Sequence, residues 1–552
     1  MKRAIVDLHT NPYFTPYIFY PKGVSLLLHP LEPFNGLISI PFQVAGLGLP
    51  FIYNLLVVVS FVFSGYGVYL LVRYLTGVRV AAFVAGLTYS FSPYHFAHLL
   101  GQLNLASFQW LPFYVLALLK SWPINNMGSI EIGALGSATR PAKQGLWAAV
   151  AGVWLAINCY TEWTYGVILG LFTVGLVGGH VIGIVRNGSG DRVGGELRRS
   201  LRGSLLRLAL LIGVWLALVA PLLVPMIVEA RSATYIQATE YELELFSADL
   251  TDAFMPSAFH PFWKELYEGL NTTHYMGRHP AERVVFVGYS VLTLSVIALW
   301  RGRKRREVQL WAWSALGAWL LSLGPYLQVW GQSGFWGMHI PMPYKLLADL
   351  PLLSIMRVPS RFMVMAMLAL AVMVGYALAA SWTGRLFRNK MRTSLLAGGL
   401  IVAEFIALPF PLMQRPYDVA FYREIANEPG KFAVLDLPIA PVAAYMGYAT
   451  VHGKPIVSGY LSRQPPDPFV NDTPVLRYLL NSTNADDPIG EEAARSGLNE
   501  LRQANVRYVV VHWWVLYGDA KTTMRIKLDR LFPNIDSYTT PEGDFTVYQL
   551  GP

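Results

Sequence analysis

Carboxylates that could take a proton from a hydroxyl group occur at two places in the chain. Asp249 and Asp252 lie three residues apart in the acid-rich segment 230–283, a spacing that brings two side chains onto one helical turn. Such a pair could share a divalent cation or act as a general base. Glu162 stands beside Trp163, between two apolar stretches. We predict catalytic roles for these three acids. The alternative for Asp249 and Asp252 is a solvated acidic face, and the alternative for Glu162 is an ordinary turn residue.

Two arginines form the second group with chemical potential. Arg357 and Arg361 flank Pro359-Ser360 directly before an apolar stretch. Two guanidinium groups at the start of a helix are well suited to gripping phosphate oxygens. We therefore predict that they bind a donor phosphate; the alternative is non-specific binding of anionic lipid headgroups.

Histidines and amides form a third group. His95 and His98 share a face if their segment is helical, but a zinc site needs three or four ligands and no other is close in sequence. We predict a polar lining for a sugar or pyrophosphate cavity, with helix capping and interhelical hydrogen bonds as the alternative. The residues assigned to this lining are His29, His95, His98, Gln102, Gln109 and Lys345.

Long apolar segments must position these residues. Of the 552 residues, 54% are hydrophobic and only 14% are charged, which is unusual for a soluble protein of this length and typical of a chain that crosses a bilayer many times. Apolar stretches run at 51–75, 79–94, 105–121, 145–161, 164–185, 204–228, 284–300, 308–325, 359–384 and 393–413. The predicted fold is a polytopic α-helical membrane protein with about ten transmembrane helices.

Charge placement predicts the topology. The net charge is +9, and basic residues cluster at 186–207, 301–306 and 385–392, each cluster between apolar stretches. Positive loops of this kind face the cytoplasm, so the charge does not indicate nucleic acid. The segments 1–50, 230–283, 326–358 and the C-terminal region then lie outside. A single cysteine, Cys159, excludes an intrachain disulfide.

Three regions follow from this topology. Residues 1–50 are predicted to be a first external loop with an interfacial helix at 33–49, and residues 51–413 the transmembrane domain. Residues 414–552 are predicted to be a small extracytoplasmic α/β domain, with short strands at 432–437, 455–458 and 507–512 and helices at 492–504 and 520–531.

Several motifs carry a family resemblance. They are Asn11-Pro12-Tyr13-Phe14-Thr15-Pro16, Tyr20-Pro21-Lys22-Gly23, Phe91-Ser92-Pro93 with His98, Gln109-Trp110-Leu111-Pro112 and Arg357-Val358-Pro359-Ser360-Arg361-Phe362. The chain resembles a largely uncharacterised bacterial branch of the GT-C class of integral membrane glycosyltransferases over nearly its whole length.

The resemblance implies a function. A sugar would pass from a polyprenyl-phosphate donor to a glycan, lipid or protein acceptor at the outer face of the cell membrane. Arg357 and Arg361 would hold the phosphate, and one of the acids Asp249, Asp252 and Glu162 would deprotonate the acceptor. A divalent cation, Mg²⁺ or Mn²⁺, would be an optional cofactor.

One departure from the family is expected to matter. Members begin with a cytoplasmic terminus and a first membrane helix, followed by an acidic motif in the first external loop. The present sequence begins inside what resembles that loop, so both features are expected to be missing. Either the start codon is misassigned, or the protein is a truncated and inactive relative. A transporter or lipid flippase, and a non-catalytic scaffold that binds a polymer or a partner protein, remain alternative functions.

Overall fold

The structure is a computed structural model. It describes residues 1–123, 141–187, 194–257, 259–265, 267–269, 282, 284–334, 338–350, 356–380, 389–408, 410, 419–480, 491–533, 535, 537–540 and 543–551. The predicted loops 230–283 and 326–358, and the basic clusters at 186–207 and 385–392, lie partly outside these residues.

The chain forms two compact units. The helical unit comprises Met1–Lys2, Glu32–Pro225 and Gln237–Phe410, and the sheet unit comprises Arg3–Leu31, Met226–Ile236 and Pro411–Pro552. Both therefore draw on separate stretches of the sequence. The predicted regions 1–50, 51–413 and 414–552 remain a prediction.

The helices of the first unit begin with α1 (Pro33–Val44), α2 (Leu49–Thr76), α3 (Arg79–Ser90), α4 (Pro93–His98), α5 (Leu103–Ala106) and α6 (Leu111–Ser121). They continue with α7 (Pro141–Thr161), α8 (Trp163–Asn187), α9 (Gly194–Ala230), α10 (Glu240–Leu245), α11 (Tyr289–Gly302) and α12 (Arg306–Ser322). The last are α13 (Tyr344–Ala348), α14 (Met363–Ala379) and α15 (Lys390–Phe405). The end of α9 belongs to the sheet unit.

Four described helical segments are long and apolar enough to cross a membrane: Leu49–Thr76, Trp163–Ile182, Ser200–Ala230 and Pro359–Ala379. The chain is therefore built to reside in a membrane. Helices such as α3 and α6 have 12 and 11 residues, short of the roughly 20 that a straight span needs. The count of about ten spans stays a prediction.

The helix α14 lies at the centre of the helical unit. It packs against α2, α3, α11 and α12. In the segment Pro359–Ala379, which contains it, 89% of the most apolar stretch is buried. A short 3₁₀ turn, Pro359–Phe362, leads directly into it. Because this turn joins a buried helix, the Arg361 side chain that it carries is held inside the unit.

Glu404 has a structural partner at the start of α11. Its carboxylate accepts hydrogen bonds from the Ser290 backbone N–H at 3.0 Å and from the Ser290 hydroxyl at 3.0 Å. Gly288 precedes the helix with φ +85°, and a Cβ there would lie 2.7 Å from the ring of Phe405. Glu404 thus caps a helix within the bundle.

The sheet unit is built around a mixed four-stranded sheet. Its strands are β3 (Ala433–Leu437), β4 (Val506–His512), β5 (Ser537–Thr539) and β6 (Phe545–Gln549), in the order β3-β4-β6-β5. β3 is parallel to β4, and the other pairs are antiparallel. The predicted strand at 455–458 contributes one isolated bridge, Ile456 to Val434. A separate ribbon pairs β1 (Phe14–Thr15) with β2 (Val24–Ser25).

The described helices of the sheet unit are α16 (Ala420–Asn427), α17 (Ala443–His452), α18 (Pro468–Asp472), α19 (Pro474–Leu480), α20 (Glu491–Gln503) and α21 (Asp519–Leu531). Its core has two apolar clusters, one of which includes Leu435, Val509 and Leu528 and the other Val434, Tyr445 and Val510. Alternate residues of β3 and β4 therefore supply opposite faces of the same sheet.

Candidate functional site

Arg361 lies between two buried acids of the helical unit. Its Nη1 is 3.7 Å from Oε1 of Glu162, and its Nη2 is 3.3 Å from Oε1 of Glu282. The side chains of these acids are 7% and 4% exposed, and that of Arg361 is 17% exposed. One guanidinium group thus compensates two carboxylates that would be costly to bury alone.

Glu162 is held at the junction of α7 and α8. Its Oε1 accepts hydrogen bonds from the Thr164 backbone N–H at 3.2 Å and from the Thr164 hydroxyl at 2.8 Å. The Asn104 side-chain amide donates to Oε2 at 2.5 Å. Glu162 therefore caps α8, and the position of its carboxylate is fixed by at least three donors and Arg361.

Glu32 precedes α1 and lies close enough to Glu162 for their charges to interact; we call Glu32, Glu162, Glu282 and Arg361 the acidic cluster. It has left-handed backbone angles, φ 51° and ψ 55°, which are uncommon for a residue with a side chain and often occur at functional sites. Its Oε2 accepts a hydrogen bond from the Asn35 amide at 2.9 Å, and Asn35 also donates to the Ser107 hydroxyl at 2.8 Å. The carboxylate is thus anchored to α1 and to the segment after α5.

The surroundings of Glu32 change its acidity. Loss of hydration raises the pKa of its carboxyl from 4.5 to about 7, and the negative charge of Glu162 contributes in the same direction. The Asn35 amide and the Asn104 backbone N–H act against this rise. A carboxyl group with a pKa near neutrality accepts and releases protons readily at physiological pH.

Polar side chains extend the cluster away from Arg361. The Gln102 amide donates to Oε1 of Glu282 at 3.4 Å, and its Oε1 lies 2.6 Å from Nδ1 of His98. His98 is 1% exposed and packs edge-on against Tyr94. Two residues of the predicted cavity lining, His98 and Gln102, are therefore connected to Arg361 through Glu282.

The cluster suits proton transfer better than metal binding. Both oxygens of Glu162 already face protein donors, and the positive charge beside it comes from Arg361. Among the described residues, no group of three or more His, Cys, Asp or Glu is arranged to hold a metal ion. These residues do not fit a divalent cation.

Asp249 and Asp252 lie elsewhere in the helical unit. Asp249 is fully buried and accepts hydrogen bonds from the Thr251 N–H and hydroxyl at 2.9 and 2.6 Å and from the backbone N–H of Trp330 and Gly331 at 3.2 and 2.8 Å. Asp252 accepts one from the Asp249 backbone N–H at 3.1 Å. These contacts join two loops, a structural role that is consistent with their burial.

The second arginine has a different partner. Nη1 of Arg357 lies 3.2 Å from Oε1 of Glu242, and both side chains are about a quarter exposed, at 24% and 25%. Lys345 is exposed and donates to the Tyr326 hydroxyl at 2.7 Å, which in turn donates to Glu240 at 2.9 Å. Among the residues that the structure describes, Arg357 and Arg361 therefore pair with different acids.

The remaining lining residues are dispersed. His95 is fully buried, with Nδ1 2.7 Å from the Ser90 carbonyl and Nε2 2.9 Å from the Ser60 hydroxyl. Gln109 is buried beside this region at 2% exposure. His29 belongs to the sheet unit, where its Nδ1 accepts a hydrogen bond from the Ser462 backbone N–H at 3.1 Å.

Two acids of the cluster had no predicted role. Glu32 and Asp7 are the only acids among the first fifty residues, so Glu32 could have been found as a carboxylate in a predicted external loop directly before a helix. Glu282 stands at the end of the acid-rich segment, beside the apolar run Val284–Val287. This apolar run indicates that Glu282 lies beside a buried segment. The spacing of residues in the sequence does not show that Glu282 pairs with Arg361.

Comparison with solved structures identifies the fold of the chain. No family model matches the sequence, and no curated protein matches it either. Among solved structures, the oligosaccharyltransferase of Archaeoglobus fulgidus in its apo form is similar, with a TM-score of 0.50 and 13% identity over 100% of this chain and 69% of that one. The chain has the fold of the GT-C class.

Two further structures have lower scores. The archaeal oligosaccharyltransferase AglB from Archaeoglobus fulgidus in complex with an inhibitory peptide and a dolichol-phosphate has a TM-score of 0.49 and 14% identity, over 100% of this chain and 69% of that one. ArnT from Cupriavidus metallidurans bound to undecaprenyl phosphate has a TM-score of 0.45 and 11% identity, over 96% of this chain and 90% of that one.

Proposed function

We propose that the chain is a membrane glycosyltransferase that uses a polyprenyl-phosphate sugar donor. The observation that carries the proposal is the pairing of Arg361 with Glu162 and Glu282, with Glu32 beside Glu162, in a chain with a GT-C fold. It supplies a carboxyl group with a pKa near neutrality in a buried, polar setting. The polyprenyl-phosphate donor follows from the sequence motifs that resemble the class.

In this proposal Glu32 is the general base. It accepts the proton of the acceptor hydroxyl as that oxygen forms a bond to the anomeric carbon of the sugar. The bond between that carbon and the phosphate oxygen breaks, and the lipid phosphate leaves with the electron pair. A neutral hydroxyl is a poor nucleophile at neutral pH, so proton removal by a positioned carboxylate accelerates the attack.

The other charged residues take distinct parts. Arg361 and the donors on Glu162 keep the acidic cluster in position, while Arg357, which is about a quarter exposed, binds the leaving phosphate. Stabilisation of the charge that develops on the phosphate should contribute much of the rate acceleration. Glu242 then exchanges its partner Arg357 for water when the phosphate binds.

The topology belongs to the same proposal. About ten transmembrane helices would place the first loop, the segments 230–283 and 326–358 and an extracytoplasmic α/β domain on the outer side of the cell membrane. Transfer then takes place at that face, onto a glycan, lipid or protein acceptor.

The test is an assay in proteoliposomes with a panel of polyprenyl-phosphate sugars labelled in the sugar. Release of lipid phosphate with transfer of the label supports the proposal, and Glu32→Gln should slow this transfer by about 10²–10⁴-fold. Glu268→Gln is the matched control, because Glu268 is exposed and forms a surface ion pair with Lys264, four residues earlier, at 3.7 Å. Movement of labelled lipid across the bilayer without transfer would indicate a flippase, and binding without either would indicate a scaffold.

A further inference from the structure

A cavity of about 540 Å³ lies within the sheet unit, between α16 and the strands β4, β6 and β5. Ligand pockets in proteins commonly measure about 300–1,000 Å³. The lining of the cavity includes Phe421, Glu424, Asn427, Tyr508, Tyr538 and Gln549. None of them belongs to the acidic cluster of the helical unit.

The floor of the cavity is set by strand register. Tyr508 on β4 is directly opposite Gln549 on β6, and Tyr538 on β5 is directly opposite Val547 on β6. Paired residues of neighbouring strands lie on the same face, as do residues two apart on one strand. The floor is therefore a surface of two tyrosines, one valine and one amide. Tyr538 is 55% exposed, so its ring is accessible to a ligand.

The wall of the cavity is one face of α16. Phe421, Glu424 and Ile425 follow the helical spacing of three and four residues. Phe421 and Ile425 are 7% and 3% exposed, which fixes the helix on the sheet. Glu424 and the following Asn427 are exposed, so their polar groups are available at the rim.

Charge restricts what the cavity can hold. Glu428 forms an ion pair with Arg507 and accepts a hydrogen bond from the Tyr508 hydroxyl at 2.7 Å. Glu424 adds a second negative charge. Burial raises the pKa of Tyr508 to about 12, and both acids contribute in the same direction. Anionic ligands such as phosphate are therefore disfavoured at this position.

We propose that this cavity binds a neutral saccharide unit. The C–H faces of a sugar ring pack on the Tyr538 and Tyr508 rings, as apolar surfaces do on aromatic side chains. Its hydroxyls donate to the Glu424 carboxylate and exchange hydrogen bonds with the amides of Asn427 and Gln549. The cavity shares no residue with the proposed catalytic cluster. Its saccharide binding can therefore be measured without turnover of the donor.

An ammonium group fits the same lining less well. It offers only donors, whereas Asn427, Gln549 and Ser537 present both donors and acceptors. One of the two carboxylates, Glu428, already faces Arg507. A sugar hydroxyl both donates and accepts, so it uses the amides and the hydroxyl as well as the exposed rim carboxylate of Glu424.

The experiment is calorimetric titration of the full chain in nanodiscs with neutral oligosaccharides of glucose, galactose, mannose and N-acetylglucosamine. We expect at least one of them to bind, and Tyr538→Ala to weaken that binding roughly tenfold or more, equivalent to about 1.4 kcal/mol. Tyr517→Ala is the control, because Tyr517 is 79% exposed in the same unit and outside the cavity.

A second variant tests the polar rim. Glu424→Gln keeps the size of an exposed side chain and should weaken binding several-fold without changing the thermal unfolding midpoint. Three outcomes would overturn the proposal: no member of the panel binds at millimolar concentration, binding is unchanged in Tyr538→Ala, or choline displaces the sugar more effectively than free monosaccharides do. Loss of sugar transfer in the donor assay would leave this binding result unaffected.

Discussion

Asn104 donates its side-chain amide to the Glu162 carboxylate at 2.5 Å, while its backbone N–H faces the carboxyl group of Glu32. One residue of a four-residue helix, α5, therefore holds two acids that are 130 positions apart in the sequence, at a distance where the charge of Glu162 raises the pKa of Glu32. The donors and Arg361 hold the Glu162 carboxyl group in place, and Glu32 is the acid whose raised pKa allows proton exchange near neutral pH.

Replacement of Glu32 by Gln should reduce sugar transfer by about 10²–10⁴-fold, the usual contribution of a general base. In the unmodified protein, kcat/KM should rise with pH and level off above about 7, because the carboxyl group must lose its proton to act. The measurement is a pH profile of transfer from the labelled donor. A flat profile, or Glu32→Gln with full activity, would remove Glu32 from the mechanism.

The same residue should make stability depend on pH. Since the folded-state pKa of Glu32 is raised from 4.5 to about 7, the folded protein keeps a proton in this window that the unfolded chain has released. Glu32 should therefore contribute fully to the free energy of unfolding below pH 4.5. This contribution should be lost as pH rises through about 7. The difference in unfolding midpoint between the protein and Glu32→Gln, measured in detergent across this range, checks the sign. An opposite trend would contradict the raised pKa.

The two arginines should respond differently to substitution. Arg361→Ala removes the guanidinium between two buried acids and should destabilise the helical unit by about 3–5 kcal/mol. Arg357→Ala removes one half of a partly exposed pair, so stability should change by only about 1 kcal/mol or less, while transfer is lost because the phosphate contact is gone. Unfolding midpoints and transfer rates of both variants separate these effects.

A compensating variant sharpens that comparison. Combining Arg361→Met with Glu282→Gln removes a charge of each sign, so part of the lost stability should return. If Arg361→Ala instead folds as well as the unmodified protein, the buried pairs with Glu162 and Glu282 are not important for stability, and Arg361 would be available for the phosphate.

Asp249→Asn should affect folding more than catalysis. The Asp249 carboxylate accepts four hydrogen bonds from N–H and O–H donors. The amide of Asn would point its own NH₂ group at one of these donors, so that hydrogen bond would be lost. We expect a loss of roughly 1–3 kcal/mol in stability, with transfer per folded molecule unchanged. Asp349→Asn, at an exposed position, is the control. Normal stability with abolished transfer would restore Asp249 as a catalytic acid.

Much of the membrane architecture could be predicted from local sequence. Stretches such as Leu49–Thr76 and Pro359–Ala379 are apolar over at least the length of a span, and a backbone in hydrocarbon must satisfy its own hydrogen bonds, which favours helices. The sequence motifs also indicated the GT-C class, whose fold the chain shares. Spans interrupted by short helices, such as α3 to α6, were harder to predict, because hydropathy does not show where a helix breaks.

The composition of the site required the tertiary structure. Arg357 and Arg361 are alike in the sequence, yet one faces Glu242 and the other lies between Glu162 and Glu282. The difference arises because Arg361 lies on the turn that enters the buried helix α14, and packing of that helix decides which distant acids it meets. Residue type and spacing determine the fold locally, whereas the convergence of Glu32, Glu162 and Glu282 depends on contacts between segments far apart in the chain, which only close packing of the helices specifies.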